Sequence, residues 1–223
     1  FCRALTFITL MAVVIAIRYR GGAAKAIRDV GWAGVFVSFA LGVGATLYVL
    51  AIVHTTVANA VVILCTSPLL TALLAWICLG HRASRATIVA ALVAVSGVIL
   101  MVVDGMAAGG LTGMTIALGA ALAFAGMLVV MQRHQGRDFL PATGMSGFVT
   151  LAIAWFAAGH LDISNHDIGI GVFLGSFQFG LGFVCITLAA RYIDGALVAL
   201  LSLSEVILAP IWVWLGVGEA PST

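Results

Sequence analysis

Short polar breaks divide the chain into eight apolar runs, and this pattern restricts its fold more than any other feature. A helix needs about 20 apolar residues to cross the hydrocarbon layer of a bilayer. Only 8% of the residues are charged, against about a quarter in a soluble domain. The sequence therefore predicts an all-α polytopic membrane protein with about eight helices. The runs cover 1–17, 31–53, 57–79, 86–103, 112–131, 141–158, 168–190 and 195–217.

One stretch of the sequence occurs twice. Residues 29–84 align with 167–222 without a gap, and thirteen positions are identical, among them Gly42 and Gly180. The copies start 138 residues apart and are separated by an odd number of spans, so they are predicted to cross the bilayer in opposite directions. Inverted repeats are typical of secondary transporters, which bind their substrate near the midplane where the repeats meet.

The basic residues lie almost entirely at one end of the predicted bundle. Nine of the ten Lys and Arg residues fall in loops at that end, and the tenth, Arg3, lies inside the first apolar run. By the positive-inside rule, the basic loops are cytoplasmic and the protein lies in the cell (inner) membrane. The net charge of +2 is too small to indicate nucleic-acid binding.

The two ends of the sequence are unlike those of a complete membrane protein. The chain begins at Phe1 inside an apolar run and ends after a polar bend at Pro221. We therefore expect at least one helix to be absent at each end.

Two short motifs close spans at corresponding places in the two copies. Leu-Gly-His-Arg at 79–82 ends the third run, which is interrupted by Ser67 and Pro68, and Val-Gly-Glu at 217–219 ends the last run. The chain thereby resembles the EamA repeat of the drug/metabolite transporter superfamily. In that family a Leu-Gly-Glu box follows the fourth helix of each five-helix repeat, and a proline lies within the helix. His81 here replaces the Glu of the first box.

The resemblance implies two inverted five-helix repeats, here residues 1–104 and 112–223, each truncated at its outer end. It also implies a secondary transporter that exports a small organic solute, such as an amino acid, a metabolite or a drug, by alternating access. Coupling to protons is left open. Helices three, four, eight and nine line the cavity in the family, which implies Tyr48, Gln178 and Trp212 as lining residues.

Glu205 is the only acidic residue in any predicted span, and it lies in the middle of the last one. A charge at the bilayer centre costs on the order of 3 kcal/mol on insertion scales, so such a residue normally faces a cavity or a partner. We expect Glu205 to bind a proton or a cationic group of the substrate, with Ser202 on the same helix face. The alternative is a structural Glu that is hydrogen-bonded in the bundle or paired with Arg3.

Three further places could bind substrate. Arg3 lies roughly 21 Å from the basic end of its span at the helical rise, where it could attract a carboxylate or extend towards the interface. Ser67 and Pro68 align with Glu205 and its successor, and proline invites a kink where transporters bind ligands. Asn59 adds a hydrogen-bonding group to the same span. Structural roles are the alternative for each.

Two other classes of protein were considered. An intramembrane enzyme that acts on lipid or peptide needs a nucleophile and a base at one depth. Gly144 to Gly147 matches the Gly-x-Ser-Gly of rhomboid-type proteases, but His160 and His166 belong to the loop at the other end of the span from Ser146. We expect no catalytic residue, metal site or cofactor. A structural or sensory membrane protein gives no reason for a lone acid in mid-span.

Overall fold

The structure is a computed structural model that describes residues 2–102, 111–157 and 165–204. Every regular element in these ranges is helical. This confirms the predicted all-α membrane fold. A π-helical segment, Leu174–Leu181, joins α8 to α9. The helices are α1 (Cys2–Tyr19), α2 (Ala23–His54), α3 (Val57–Leu64), α4 (Ser67–Leu79), α5 (Arg85–Val102), α6 (Leu111–Arg133), α7 (Leu140–Ala157), α8 (Asn165–Phe173), α9 (Gly182–Ala189) and α10 (Gly195–Ser202).

Several predicted spans contain more than one helical segment. α3 and α4 together form one span, and α8, the π-helical segment and α9 form another. In the described ranges, five segments are long and apolar enough to cross a membrane. These segments are Cys2–Tyr19, Ala23–His54, Asn59–Leu79, Leu111–Arg133 and Ile168–Ala189.

Helix α2 begins eight residues earlier than the apolar run at 31–53 predicts. Gly31 has φ 58° and ψ −152° inside it, a backbone conformation that is easily reached only by glycine. The polar segment 23–30 can therefore continue into the apolar span at an angle. Hydropathy detected the apolar part alone.

The largest packed core lies at one end of the bundle, where α1, α6 and α9 end and α2, α7 and α10 begin. We call this the basic end, because nine of the ten Lys and Arg residues belong to it. The core brings the start of α2 (Val30, Val37) together with Ala190, which directly follows α9. The two repeated spans therefore run in opposite directions. Met127 and Val198 contribute α6 and α10 to the same core.

The repeated glycines make equivalent close contacts in the two copies. A Cβ on Gly42 of α2 would lie 2.6 Å from the Cβ of Val149 and 2.8 Å from the carbonyl oxygen of Ser146, both in α7. Its counterpart Gly180 approaches Leu10 of α1 equally closely. Glycine permits this approach because it has no side chain in the interface. The repeated span of the first copy (α2) therefore packs against α7 of the second copy, and the repeated span of the second copy packs against α1 of the first.

Hydrogen bonds between polar groups also connect helices at the basic end. The hydroxyl of Ser38 in α2 donates to the carbonyl of Ala142 in α7 at 2.7 Å. The side chain of Gln132 in α6 donates to Asp194 at 3.1 Å and accepts from the amide of Gly195 at 3.2 Å. The bond from the Gly195 amide satisfies a group at the start of α10 that has no partner within its own helix.

Candidate functional site

Arg3 lies within the first span and stacks on an aromatic ring. Its guanidinium carbon is 5.0 Å from the ring centroid of Phe179 in the π-helical segment. Arginine over an aromatic face is an attractive cation–π arrangement, and it strengthens when water is excluded. No carboxylate of the described residues lies within ion-pair distance of Arg3. The charge is therefore held by a ring, with no acid of the described ranges beside it.

Close backbone packing fixes the position of Arg3. A Cβ on Gly175 would lie 2.6 Å from the carbonyl oxygen of Arg3, so the first turn of α1 rests directly on the π-helical segment. A π-helical segment often marks a functional site in a helix. Tyr48 of α2 lies close enough to interact electrostatically with Arg3.

Phe179 belongs to a cluster of rings that crosses the bundle. Its centroid is 5.0 Å from Phe7 of α1 and 4.5 Å from Phe183 of α9. Phe183 in turn lies 6.4 Å from Phe124 of α6 in an edge-to-face arrangement. We call these four residues the aromatic cluster. Phe124, Phe179 and Phe183 pack against the core of the basic end, so the cluster separates Arg3 from that core.

The span at 57–79 is interrupted as its proline predicts. α3 ends at Leu64, and α4 begins at Ser67 with Pro68 in its first turn, where the missing amide proton has no cost. The hydroxyl of Thr66 donates to the carbonyl of Ile63 at 2.6 Å within the break. Ser67 and Pro68 are both buried.

Asn59 is 1% exposed, and only part of its side chain is satisfied. Its Nδ2 donates to the hydroxyl of Thr55 at 3.1 Å. Its Oδ1 is buried and accepts no hydrogen bond from the described residues. A buried acceptor without a donor is costly, of the order of 1–3 kcal/mol. Asn59 is therefore the sequence-predicted site residue with a free hydrogen-bonding capacity.

The other predicted site residues occupy different environments. Gln178 is exposed, although its neighbour Phe179 stacks with Arg3. Ser202 is half-buried and donates to the carbonyl of Val198 within α10. Glu205 and Trp212 lie outside the described residues. Among the predicted site residues that the structure describes, Tyr48 lies near enough to Arg3 for an electrostatic interaction.

The aromatic cluster was missed by the sequence reasoning. Phe179 and Phe183 are four residues apart, which places them on one helix face, and this spacing could have suggested a ring pair. Phe7 and Phe124 gave no such signal, because they lie in different helices and only the packing brings them together.

Comparison with known proteins gives a family and a fold. The model of the EamA-like transporter family matches residues 2–103 and 111–223. No curated protein matches the chain. A solved structure described as "Crystal structure of protein" shares 17% identity, with a TM-score of 0.66, and the alignment covers 99% of this chain and 88% of that one. At that identity the similarity concerns the fold alone.

Proposed function

This chain belongs to the EamA-like transporter family, and from that premise we propose that it exports a small organic solute across the cytoplasmic membrane by alternating access. Members of this family are multi-pass membrane transporters, so the protein is embedded in a lipid bilayer and its substrate is a small molecule. The inverted repeat supports the alternating mechanism, since the two copies can rock against each other around a central site.

The observation that carries the proposal is the placement of Arg3. An ionisable residue within a membrane span is normally functional, because burying its charge is expensive. Arg3 lies against Phe179 and near Tyr48, and the described residues supply no carboxylate for it. We therefore assign Arg3 to the recognition of an acidic group on the solute. Glu205 is the proposed partner for a proton or a cationic group on the same solute.

The packing supports a site that opens away from the basic end. The large core fills the space between α2, α6, α7 and α10 on the basic side of the aromatic cluster. Solute bound at Arg3 would then rest on the aromatic cluster and reach the opposite side of the membrane first. This is the arrangement expected of an exporter whose binding site is closed towards the cytoplasm and open towards the opposite side of the membrane.

Replacing Arg3 by glutamine tests this assignment. In vesicles that contain the full-length protein, flux of carboxylate-bearing solutes should fall by about tenfold or more, since a charged hydrogen bond contributes about 1.5–3 kcal/mol. Arg3→Lys should retain part of the flux. Arg133→Gln, an exposed arginine at the basic end, should behave as wild type. Equal flux in Arg3→Gln and Arg133→Gln would show that Arg3 does not belong to the site. If cells that produce the wild-type protein grow no better than control cells on any toxic solute tested, the export proposal would be rejected.

The cytoplasmic location of the basic end is a separate proposal. Gln135 lies exposed in the loop between α6 and α7, whereas Leu111 is 81% exposed at the other end of α6. In a protein without native cysteines, Gln135→Cys should react with an impermeant maleimide only after the cells are opened. Leu111→Cys should react in intact cells. The reverse pattern would show that the positive-inside assignment is wrong.

A further inference from the structure

One carboxylate joins three segments of the chain at the basic end. Oδ2 of Asp138, in the loop before α7, lies 3.1 Å from Nη2 of Arg18 at the end of α1. The same oxygen lies 3.4 Å from Nη1 of Arg191, which follows α9. Arg18 belongs to the first repeat, whereas Asp138 and Arg191 belong to the second. We call these three residues the Asp138 cluster.

The remaining oxygen of Asp138 is also bound. Oδ1 accepts a hydrogen bond from the amide of Leu140 at 3.1 Å, at the start of α7. Although partial burial opposes ionisation, this bond, the nearby Tyr19 hydroxyl and the charge of Arg18 lower the pKa of Asp138 below its ordinary value. A lowered carboxyl pKa means that the ion pairs are present above about pH 4 and are lost only as the pH falls below that value. The cluster is therefore intact over the physiological range.

The two arginines of the cluster correspond to apolar residues in the other repeat. When it is extended beyond the aligned stretch, the 138-residue offset pairs Arg18 with Phe156, and within that stretch it pairs Arg191 with Val53. These side chains are 89% and 73% exposed at the end of the bundle opposite the basic end. Two apolar exposed residues cannot form an ion pair with anything. Among the described residues, these positions therefore carry an ionic connection at the basic end and apolar side chains at the opposite end.

We propose that the Asp138 cluster is a latch that holds the basic end of the carrier closed and must break before that end opens. The proposal rests on the alternating-access function given above. In an inverted-repeat carrier, exchange of the two repeat conformations converts one open state into the other, so identical repeats would give two states of equal free energy. An ionic connection at one end removes that equality and favours closure of that end.

The latch is tested by the accessibility of the core that it closes. Ala199 of α10 is fully buried in the basic-end core. In full-length protein without native cysteines, Ala199→Cys is labelled from the basic side of oriented vesicles with an impermeant maleimide. Asp138→Asn removes the charge and leaves an oxygen that can accept from Leu140. It should raise the labelling rate about three- to fivefold, the effect expected of two partly exposed ion pairs.

The matched control is Asp29→Asn. Asp29 is an exposed acid at the same end, it lines the same open cleft as Asp138, and it forms no ion pair with the described residues. Its replacement should leave the labelling rate unchanged. High salt should raise labelling of the wild type and leave Asp138→Asn unaffected, because screening weakens exposed ion pairs.

Equal labelling of Asp138→Asn and Asp29→Asn at every salt concentration would overturn the latch. Should Asp138→Asn fail to fold, Arg18→Gln and Arg191→Gln each remove one pair and keep the bond to Leu140. Each should then label at an intermediate rate, and wild-type rates in both would also reject the proposal. Because labelling requires no solute, its outcome is independent of whether export is observed.

Discussion

Replacing Gly42 by valine should separate α2 from α7 and unfold the protein at a markedly lower temperature. The new Cβ would overlap the backbone oxygen of Ser146 and the Cβ of Val149, at 2.8 and 2.6 Å. A carbonyl oxygen in a helix cannot move aside as a flexible side chain can. Overpacking of this kind costs about 3 kcal/mol, which for a chain of this size corresponds to roughly 10 °C in the melting temperature.

Gly182→Val is the control for the Gly42 experiment. Gly182 belongs to the equivalent span of the second repeat, and a Cβ there would meet nothing within 4 Å. Its melting temperature in detergent should stay within a few degrees of wild type. Melting curves from a fluorescent fusion during size-exclusion chromatography give both values. Similar melting temperatures for the two variants would contradict the tight α2–α7 interface.

Replacing Glu205 by glutamine should lower transport by more than about tenfold while leaving the amount of protein in the membrane unchanged. The sequence places this acid alone in mid-span, and such a residue is normally retained for function. Leu203, two residues earlier, packs against Val62 and Cys65 of α3 and the adjacent break, so α10 leads towards the interrupted span. Growth of cells on toxic amino-acid analogues, nucleobases or cationic drugs measures the effect, which should exceed tenfold in flux, about 1.4 kcal/mol or more.

Ser204→Ala is the control for Glu205. The Ser204 hydroxyl, just after α10, donates to the carbonyl of Leu201 near the end of that helix, so its loss should leave transport unchanged. If Glu205 carries protons, the glutamine variant should also lose any dependence of flux on pH between 5 and 8. Asp138 cannot supply such a dependence, because its lowered pKa keeps it charged throughout that range. Normal transport with normal pH dependence in Glu205→Gln would assign this residue a structural role.

The fold was predictable because its main signals are local in the sequence. Apolar runs of span length must become helices in a bilayer, where every backbone amide needs a partner within its own segment. The break before Pro68 follows from the missing amide proton of that residue. The bend at Gly31 was not predictable in this way, because glycine permits many conformations and only the packing of the segment 23–30 selects one.

The candidate site was predictable only in part. Arg3 and Asn59 were expected from their chemistry alone, since polar groups in apolar spans are rare. Gln178 was expected to line a cavity by its position in the chain, and whether it does so stays a prediction, as do the roles of Glu205 and Trp212. The sequence identified residues with unusual chemistry for their surroundings, and it could not identify their neighbours.

The sequence by itself indicated the all-α membrane class, the two-repeat organisation and the family, because hydropathy, the 138-residue repeat and the short motifs that close spans are all linear patterns. Only the tertiary structure decided which groups meet. Arg3 contacts a ring 176 residues further along the chain, and Asp138 binds arginines 120 residues before it and 53 after it. Such pairings depend on how helices pack in three dimensions, and helix packing is set by the shapes of whole surfaces.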